Sequence, residues 1–255
     1  MRLPITVTIL TKNSQRYLSP VLVALERFDE VLVVDTGSED ATLNIAGQFP
    51  NVRVHSSRFI GFGPTHNLAS NLARHDWILS IDSDEIADLG LADEIETLGL
   101  SRGIVYSLPR HNKYRGKWIR WCGWYPDRCV RLYNRLDTRF SEDQVHEVVE
   151  LGRLREMALT SPLLHYSYAD TSDFLSKMQT YSSLFALQYQ GKKRSSLAKA
   201  IGHGFYAFFK SYVLKRGFLG GQEGFEISFY NANTAFYKYL KLAEANRRLS
   251  GLVKK

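Results

Sequence analysis

Residues 77–85 constrain the fold of this chain more than any other stretch. They read Trp-Ile-Leu-Ser-Ile-Asp-Ser-Asp-Glu, so five mostly apolar residues lead directly into three carboxylates within four positions. Apolar runs of this length are typical of buried strands in parallel sheets. Because neighbouring carboxylates repel one another, they need a compensating charge. A divalent cation with a phosphorylated ligand would supply it, since hard cations take oxygen ligands. A solvated acidic turn is the plainer alternative.

The chain before this stretch alternates between strand-like and helix-like patterns. Repeated alternation predicts an α/β fold with a doubly wound, mostly parallel sheet. In such sheets ligands bind beyond the carboxyl ends of the strands. Asn13 or Ser14 and, after the second strand, Ser38 are the predicted helix N-caps. The predicted strands span residues 5–10, 31–34, 52–54 and 77–81, and polar groups follow them at Thr11–Asn13, Asp35–Ser38 and Asp82–Glu85.

Two polar residues near this edge are candidates for ligand binding. Asp35 could accept hydrogen bonds from a ribose hydroxyl or a uracil N–H, or it could bond its own backbone as aspartates in turns do. Asn67 lies on the predicted helix just before the acidic strand. It could reach a nucleotide base or a metal, and capping or solvent exposure is an equal alternative.

The order of these motifs resembles a family-2 glycosyltransferase of the GT-A fold, over roughly residues 4–170. The resemblance implies an inverting, metal-dependent transferase that uses a nucleotide-sugar and Mg²⁺ or Mn²⁺. Thr36 departs from it, because many members carry a second acidic residue there. By this resemblance the nucleotide-sugar would be held by Thr11, Asn13, Asp35, Asn67 and Asp82, and the Asp-x-Asp motif would be Asp82 and Asp84.

Inverting transfer needs a carboxylate that takes the proton of the attacking acceptor hydroxyl. Glu142, Asp143 and Glu147 are the available candidates. Glu147 is preferred, because Val-His-Glu at this place resembles an element of the bacterial core-sugar branch of the family; Asp143 is second, and a surface carboxylate is the alternative for either. His165 ends a predicted strand and could complete the metal's coordination beside Asp82 and Asp84, although a lone strand-end histidine is more often structural.

Residues 109–126 concentrate three of the four tryptophans among five Lys/Arg. Aromatic faces stack on sugar rings, and guanidinium groups fork onto carboxylates or phosphates. The stretch therefore predicts a site for an acidic or phosphorylated acceptor. Packing of the tryptophans onto the domain is the alternative, and a nucleic-acid groove is disfavoured by the nearby carboxylates. The predicted acceptor-binding residues are Arg110, Trp121, Trp124 and Arg128.

Net charge is unevenly distributed along the chain. Residues 171–255 hold 14 Lys/Arg against 4 Asp/Glu, whereas the first 170 residues hold 19 against 22. Aromatic residues recur at helical spacing in this basic third, around a glycine-rich segment predicted as a hinge (residues 216–224). Such stripes pack in a core or lie at an anionic membrane surface. We therefore expect two domains: a GT-A domain over 1–170 and a basic, aromatic-rich helical extension over 171–255.

The short GT-A domain with this tail is similar to the lipopolysaccharide core β-glucosyltransferases of Gram-negative bacteria. That similarity implies glucose transfer from UDP-glucose to an inner-core heptose of an anionic lipid-linked oligosaccharide. Two cysteines, no signal peptide and no long apolar run predict a cytoplasmic enzyme, peripheral on the inner membrane. The alternatives are the same chemistry on another surface-glycan or lipid-linked acceptor, and a non-catalytic protein that binds anions or nucleic acid.

Overall fold

A computed structural model describes residues 2–144 and 147–252. Val145 and His146 of the Val-His-Glu element lie outside the described residues. The strands are β1 (Leu3–Thr11), β2 (Phe28–Asp35), β3 (Val52–Ser56), β4 (Trp77–Ser80), β5 (Glu85–Ala87), β6 (Ile104–Tyr114), β7 (Lys117–Trp118), β8 (Asp127–Asn134), β9 (Arg155–Ala158) and β10 (Leu163–Tyr168). The helices are α1 (Leu18–Val23), α2 (Thr42–Ala46), α3 (Phe62–Leu72), α4 (Leu91–Leu98), α5 (Thr171–Tyr189), α6 (Leu197–Phe209) and α7 (Gly221–Leu252), with a π-helical turn at Lys210–Leu214 and a 3₁₀ turn at Gly217–Gly220.

The strands form one sheet in the order β3-β2-β1-β4-β8-β6-β10-β5, with β7 and β9 added on β6. The first four strands are parallel, whereas β8 runs antiparallel between β4 and β6. In this register Thr11 lies opposite Asp35, and Thr8 lies opposite Ser80. The predicted doubly wound, mostly parallel sheet is confirmed, and the carboxyl ends of β1, β2 and β4 meet at one edge.

Strand β2 shows why its sequence is apolar without alternation. Val31 and Val33 pack in the main core, which includes Leu22 of α1. Leu32 and Val34 point to the other face and pack with Ala69 of α3. All four strand residues are fully buried. The strand is therefore covered on both faces, as parallel strands in α/β proteins usually are.

The predicted N-caps are wrong for both early helices. Helix α1 begins at Leu18, four residues after Ser14, and its N-cap residue Tyr17 makes no side-chain capping bond. Helix α2 begins at Thr42, whose N–H donates to Asp40 at 3.0 Å. Ser38 instead bonds to Asp35. The loops after β1 and β2 are longer than predicted because their polar residues bond to one another.

The chain divides into two compact units, the first made of residues up to 111 with 127–166 and the second of 112–126 with the chain from 167 onward. The sequence-based division at residue 170 did not separate segment 112–126 from the first domain. That segment belongs with the C-terminal helices because Tyr114, Ile119 and Cys122 share one buried cluster with Phe174 and Ile227.

The glycine-rich segment of the second unit is a close-packed corner. A Cβ on Gly224 would lie 1.8 Å from the carbonyl oxygen of Gly217, so only glycine fits there. On α6, a Cβ on Gly204 would lie 3.2 Å from the Cβ of Phe236 on α7. The predicted hinge is therefore a site of tight backbone packing.

Over the described residues, helices of membrane-spanning length and apolarity are absent.

Candidate active site

The loops after β1 and β2 are joined by hydrogen bonds at the carboxyl edge of the sheet. Asn13 Oδ1 accepts from the N–H of Glu39 at 2.9 Å, and the N–H of Asn13 donates to Ser38 Oγ at 2.8 Å. The Thr11 hydroxyl donates to Asp35 Oδ1 at 3.0 Å. Three predicted nucleotide-binding residues, Thr11, Asn13 and Asp35, therefore lie together in one hydrogen-bonded pair of loops.

Asp35 is the centre of this loop pair. Its carboxylate accepts from the hydroxyls of Thr11 and Ser38 and from the N–H groups of Gly37 (3.0 Å) and Ser38 (2.9 Å). Burial alone would raise the pKa of Asp35, but these bonds outweigh it and lower the pKa below its ordinary value. A carboxylate offers about four acceptor positions, so the protein itself occupies them. Asp35 shapes the loops, and its direct contact with a nucleotide stays a prediction.

Arginines compensate most of the negative charge of residues 82–85, here called the acidic loop. One guanidinium nitrogen of Arg131 lies 2.6 Å from Asp82 Oδ2 and 2.8 Å from Glu85 Oε1. Arg110 lies 3.3 Å from the same Glu85 oxygen, and Glu85 is fully buried. Burial alone would raise the pKa of Asp82, yet attraction to Arg131 lowers it below the ordinary value. The charge balance that the sequence assigned to a cation is thus supplied in large part by the protein.

Arg131 was missed by sequence reasoning, and strand register explains its position. Ile78 pairs with Tyr133 and Leu79 pairs with Leu132 across the antiparallel β4 and β8. The next pair along brings Arg131 to the end of β4, beside the acidic loop. An arginine between Val130 and Leu132, in the mostly apolar middle of β8, was the available signal, because a buried charge needs a partner.

Replacing Arg131 with methionine should destabilise the fold by about 3–5 kcal/mol, because Glu85 and Asp82 would lose a buried partner. The free energy of unfolding from urea titration measures this. Arg102→Met is the matched control: Arg102 pairs with Asp137 but its side chain is 60% exposed, and exposed pairs contribute less than about 1 kcal/mol. Equal losses in the two variants would show that the Arg131 network does not stabilise the fold.

Asp84 and His165 form a second pair in the acidic loop. Strands β5 and β10 are antiparallel with His165 opposite Glu85, and the N–H of Tyr166 donates to the carbonyl of Asp84 at 2.9 Å. This pairing places His165 Nε2 3.4 Å from Asp84 Oδ1. Two donors bound to one ion at about 2.1 Å lie about 3.0–3.4 Å apart for bond angles of 90–110°. The pair therefore fits two positions of one metal's coordination sphere.

Asp82 lies in the same loop, but its carboxylate contacts Arg131 in this structure. Within residues 2–144 and 147–252, no three His, Cys, Asp or Glu side chains converge as a complete metal cage. A hard divalent ion held by one or two protein carboxylates normally completes its shell with phosphate oxygens and water. The metal-binding role of Asp82, Asp84 and His165 therefore stays a prediction.

The segment that carries the candidate bases docks on the first turns of α3. The side-chain amide of Asn67 on α3 makes two hydrogen bonds to the backbone of this segment. Its Oδ1 accepts from the N–H of Phe140 at 2.9 Å, and its Nδ2 donates to the Phe140 carbonyl at 3.0 Å. The N–H of Gly63 donates to the Asp143 carbonyl at 3.1 Å. A Cβ on Gly63 would lie 1.9 Å from the Ser141 carbonyl oxygen, so the close approach requires glycine.

This docking gives Asn67 and Asp143 structural contacts that the sequence did not predict. Asn67 positions the segment through its amide, and its contact with a nucleotide stays a prediction. The Asp143 carboxylate accepts from Ser141 Oγ at 3.0 Å and helps to fix the turn. Gly63 had escaped sequence reasoning, although the Gly-Phe-Gly-Pro run at 61–64 marked a place of close backbone approach.

Glu147 has a largely buried carboxylate that suits a general base. Its Oε1 is 3.9 Å from Nε2 of His66, a buried residue of α3 whose ring stacks on Phe140 at 4.4 Å. Burial lowers the pKa of His66 to about 4, so the imidazole is neutral at pH 7. Burial also raises the pKa of Glu147 to about 7, with a smaller contribution from the charge of Asp82. A base is most effective when its pKa lies near the working pH.

The predicted acceptor-binding arginines make internal contacts. Arg110 bonds Asp127 at 2.8 Å and pairs with Glu85. Arg128 donates to the carbonyls of Ser107 and Leu159 at 3.1 and 2.8 Å. Both arginines therefore brace the strands around the acidic loop, and a contact with acceptor stays a prediction.

The two tryptophans assigned to the acceptor lie in the second unit and pack there. Trp124 stacks on Tyr168 and Phe174, with ring centroids 5.7 and 6.2 Å apart. Trp121 packs so closely on Gly220 that a Cβ there would lie 2.7 Å from Cδ1 of its ring. These contacts favour the packing alternative for both side chains.

Comparison with known proteins agrees with this architecture. The chain matches the model of glycosyl transferase family 2 over residues 6–141. A glycosyltransferase of Rickettsia felis is 30% identical over 94% of this chain and 90% of its own length. The lipopolysaccharide core biosynthesis glycosyltransferase LpsC of Rhizobium meliloti is 28% identical over 78% and 77%. The solved structure of S. aureus TarS 1-349 in complex with UDP-GlcNAc covers all of this chain and 92% of its own, at 16% identity and a TM-score of 0.48.

The curled, mostly parallel sheet with flanking helices and a C-terminal helical region defines an α/β protein of the GT-A fold. The chain belongs to glycosyltransferase family 2. The predicted family, fold class and enzyme class are therefore confirmed, and the non-catalytic alternative is not favoured.

Proposed function

We propose that this enzyme is an inverting glycosyltransferase that moves glucose from UDP-glucose onto an inner-core heptose of lipopolysaccharide. The observation that carries the inverting mechanism is the largely buried carboxylate of Glu147, which lies 3.9 Å from His66 and whose pKa burial raises to about 7. The similarity to LpsC supports an acceptor in the lipopolysaccharide core. The glucose donor rests on the resemblance of the motifs and the basic tail to core β-glucosyltransferases.

In this mechanism Glu147 takes the proton of the acceptor hydroxyl as its oxygen attacks the anomeric carbon from the face opposite the leaving diphosphate. Asn67 and Gly63 hold the Glu147 segment against α3, so the base keeps its position during attack. Neutral His66 beside Glu147 adds no positive charge that would lower the basicity of the carboxylate. The loops of Thr11, Asn13 and Asp35 form the wall of the nucleotide site.

Asp84 and His165 would hold a divalent cation, Mg²⁺ or Mn²⁺, with Asp82 nearby. When bound, the ion would neutralise charge that develops on the leaving diphosphate. The 3.4 Å separation of Asp84 and His165 supports this assignment. Arg131 keeps Asp82 ionised and in place.

The acceptor in this proposal is lipid-linked, and the enzyme works at the cytoplasmic face of the inner membrane. The excess of Lys/Arg in residues 171–255 supports an anionic partner for that part of the chain. No nucleic-acid partner is expected.

A screen of UDP-sugars with extracted core lipid tests the proposal. UDP-glucose should give at least about tenfold higher transfer than other UDP-sugars onto heptose-terminated core, with a β linkage by NMR, because a hydrogen-bonding site rejects analogues that leave its groups unpaired. Transfer of glucose onto a different glycan would show that the proposed acceptor is wrong, while the proposed reaction would stand. Absence of UDP binding by calorimetry, together with tight DNA co-sedimentation, would overturn the enzymatic proposal.

A further inference from the structure

The second unit carries an exposed apolar surface along α6 and the turns that follow it, here called the α6 apolar face. Its side chains are 42–75% exposed, and Phe205 is the most exposed of them. Monomeric soluble proteins rarely leave contiguous apolar patches of this kind unless the patch binds something. The α6 apolar face consists of Leu197, Ile201, Phe205, Phe209, Phe218 and Leu219.

The opposite side of α6 already has its partner. Ala200 and Gly204 are buried one turn apart, and the close approach of Gly204 to Phe236 seats α6 on α7. Leu197, Ile201 and Phe205 follow one another at a spacing of four residues, which places them on neighbouring turns of the same helix. The helix is therefore anchored by one side and presents an apolar stripe on another.

The charged residues of the segment that carries this stripe are all positive. Residues 197–220 contain four Lys/Arg and no Asp or Glu, and all four basic residues are exposed. Lys199 and Lys210 are eleven residues apart, about three helical turns, so they lie on the same side of the helix. The next acidic residues, Glu223 and Glu226, pair with Lys117 and Arg115. An apolar helix face flanked by lysines is the pattern of a helix that lies in a membrane interface.

We propose that the α6 apolar face, with Lys199, Lys210, Lys215 and Arg216 around it, docks onto an anionic lipid bilayer. The apolar side chains enter the boundary between headgroups and acyl chains, and the basic side chains contact lipid phosphates. A second copy of the chain fits less well, because two such faces would bring eight positive charges together without an acidic residue. The inference concerns the membrane partner of the proposed enzyme, but the docking itself requires neither nucleotide nor acceptor.

Vesicle co-sedimentation of the full chain tests the docking surface. Wild-type protein should bind vesicles of phosphatidylcholine with phosphatidylglycerol and bind phosphatidylcholine alone weakly, with the anionic binding falling as salt rises. The double variant I201E/F205E should lower the partition coefficient at least about tenfold, and K199E/K210E by about tenfold. Leu187→Glu is the matched control: Leu187 lies on α5 in the same unit and is 65% exposed, so binding should stay within about twofold of wild type.

Three results would overturn the proposal: no binding of wild type to anionic vesicles, equal binding by I201E/F205E, or a wild-type dimer that I201E/F205E converts to a monomer in analytical ultracentrifugation. Circular dichroism and the unfolding midpoint verify that the variants are folded. UDP binding by calorimetry separates this inference from the proposed reaction. If the wild type binds UDP but does not bind anionic vesicles, only the docking surface is wrong. If the wild type binds anionic vesicles but does not bind UDP, only the proposed reaction is wrong.

Discussion

Glu147→Gln is expected to lower kcat for sugar transfer by about 10²–10⁴-fold and to leave UDP affinity unchanged. The amide keeps the size of the side chain but cannot take a proton, and general-base catalysis contributes about that factor. Steady-state transfer kinetics and calorimetry with UDP measure the two quantities separately. We therefore expect Glu147→Gln to slow the sugar-transfer step without weakening UDP binding.

The matched control for this substitution is Glu142→Gln in the same segment. Glu142 has a 59% exposed side chain that pairs with Arg139 at 3.6 Å, so its loss should change kcat little. Near wild-type transfer by Glu147→Gln, with strong loss in Asp143→Asn, would move the base to Asp143. Loss of UDP affinity in Glu147→Gln would indicate that Glu147 contacts the donor instead.

The pH profile gives the same assignment an independent readout. Burial raises the pKa of Glu147 to about 7, so the active, ionised form is lost as pH falls through 7. Wild-type kcat/KM should therefore fall about tenfold per pH unit below 7 and level off above it. The residual activity of Glu147→Gln should lack this inflection near pH 7.

Strands and helices whose hydrophobic pattern reflects their own burial could be predicted from the sequence. Strand β2 reads as four consecutive apolar residues because both of its faces are covered, and that signal is local. The full length of β6 was not visible, since its last residues are polar and aromatic. The place of segment 112–126 was not visible either, because it depends on Tyr114 packing against Phe174 and Ile227, far away in sequence.

The candidate site likewise contains residues that could be predicted from the sequence and residues that could not. Asp84 and Glu147 could be proposed from the sequence because each lies in a short motif that resembles an element of the family. Arg131 and His66 were not, because their roles depend on neighbours that only the register of β4 with β8 and the packing of α3 bring close. Asn67 was picked out as a ligand-binding candidate, but its bonds to the Phe140 backbone were not predicted. An asparagine that bonds a backbone segment 73 residues away leaves no pattern in one sequence.

Asp84→Ala is expected to remove the dependence of UDP binding on Mn²⁺. In the wild type, Mn²⁺ should tighten UDP binding because Asp84 and His165 supply two ligands of an ion that also binds the diphosphate. Without Asp84, UDP affinity in Mn²⁺ should fall at least about tenfold, whereas affinity in EDTA should match wild type. Titration of Mn²⁺ by electron paramagnetic resonance, with UDP present, reads the metal directly and does not depend on turnover.

Asp93→Ala is the control, because Asp93 is 70% exposed and pairs with Arg27 away from the acidic loop. His165→Ala should reproduce the loss seen in Asp84→Ala, since both residues hold the same ion in this proposal.

The Mn²⁺ dependence of UDP binding in these variants shows whether a metal ion or protein side chains stabilise the leaving diphosphate. If Mn²⁺ dependence survives in both variants, or if EDTA leaves wild-type UDP binding unchanged, the Asp84–His165 metal site is wrong. The positive charge near the diphosphate would then have to come from side chains, and Arg131 of β8 and Arg110 of β6 lie beside the acidic loop.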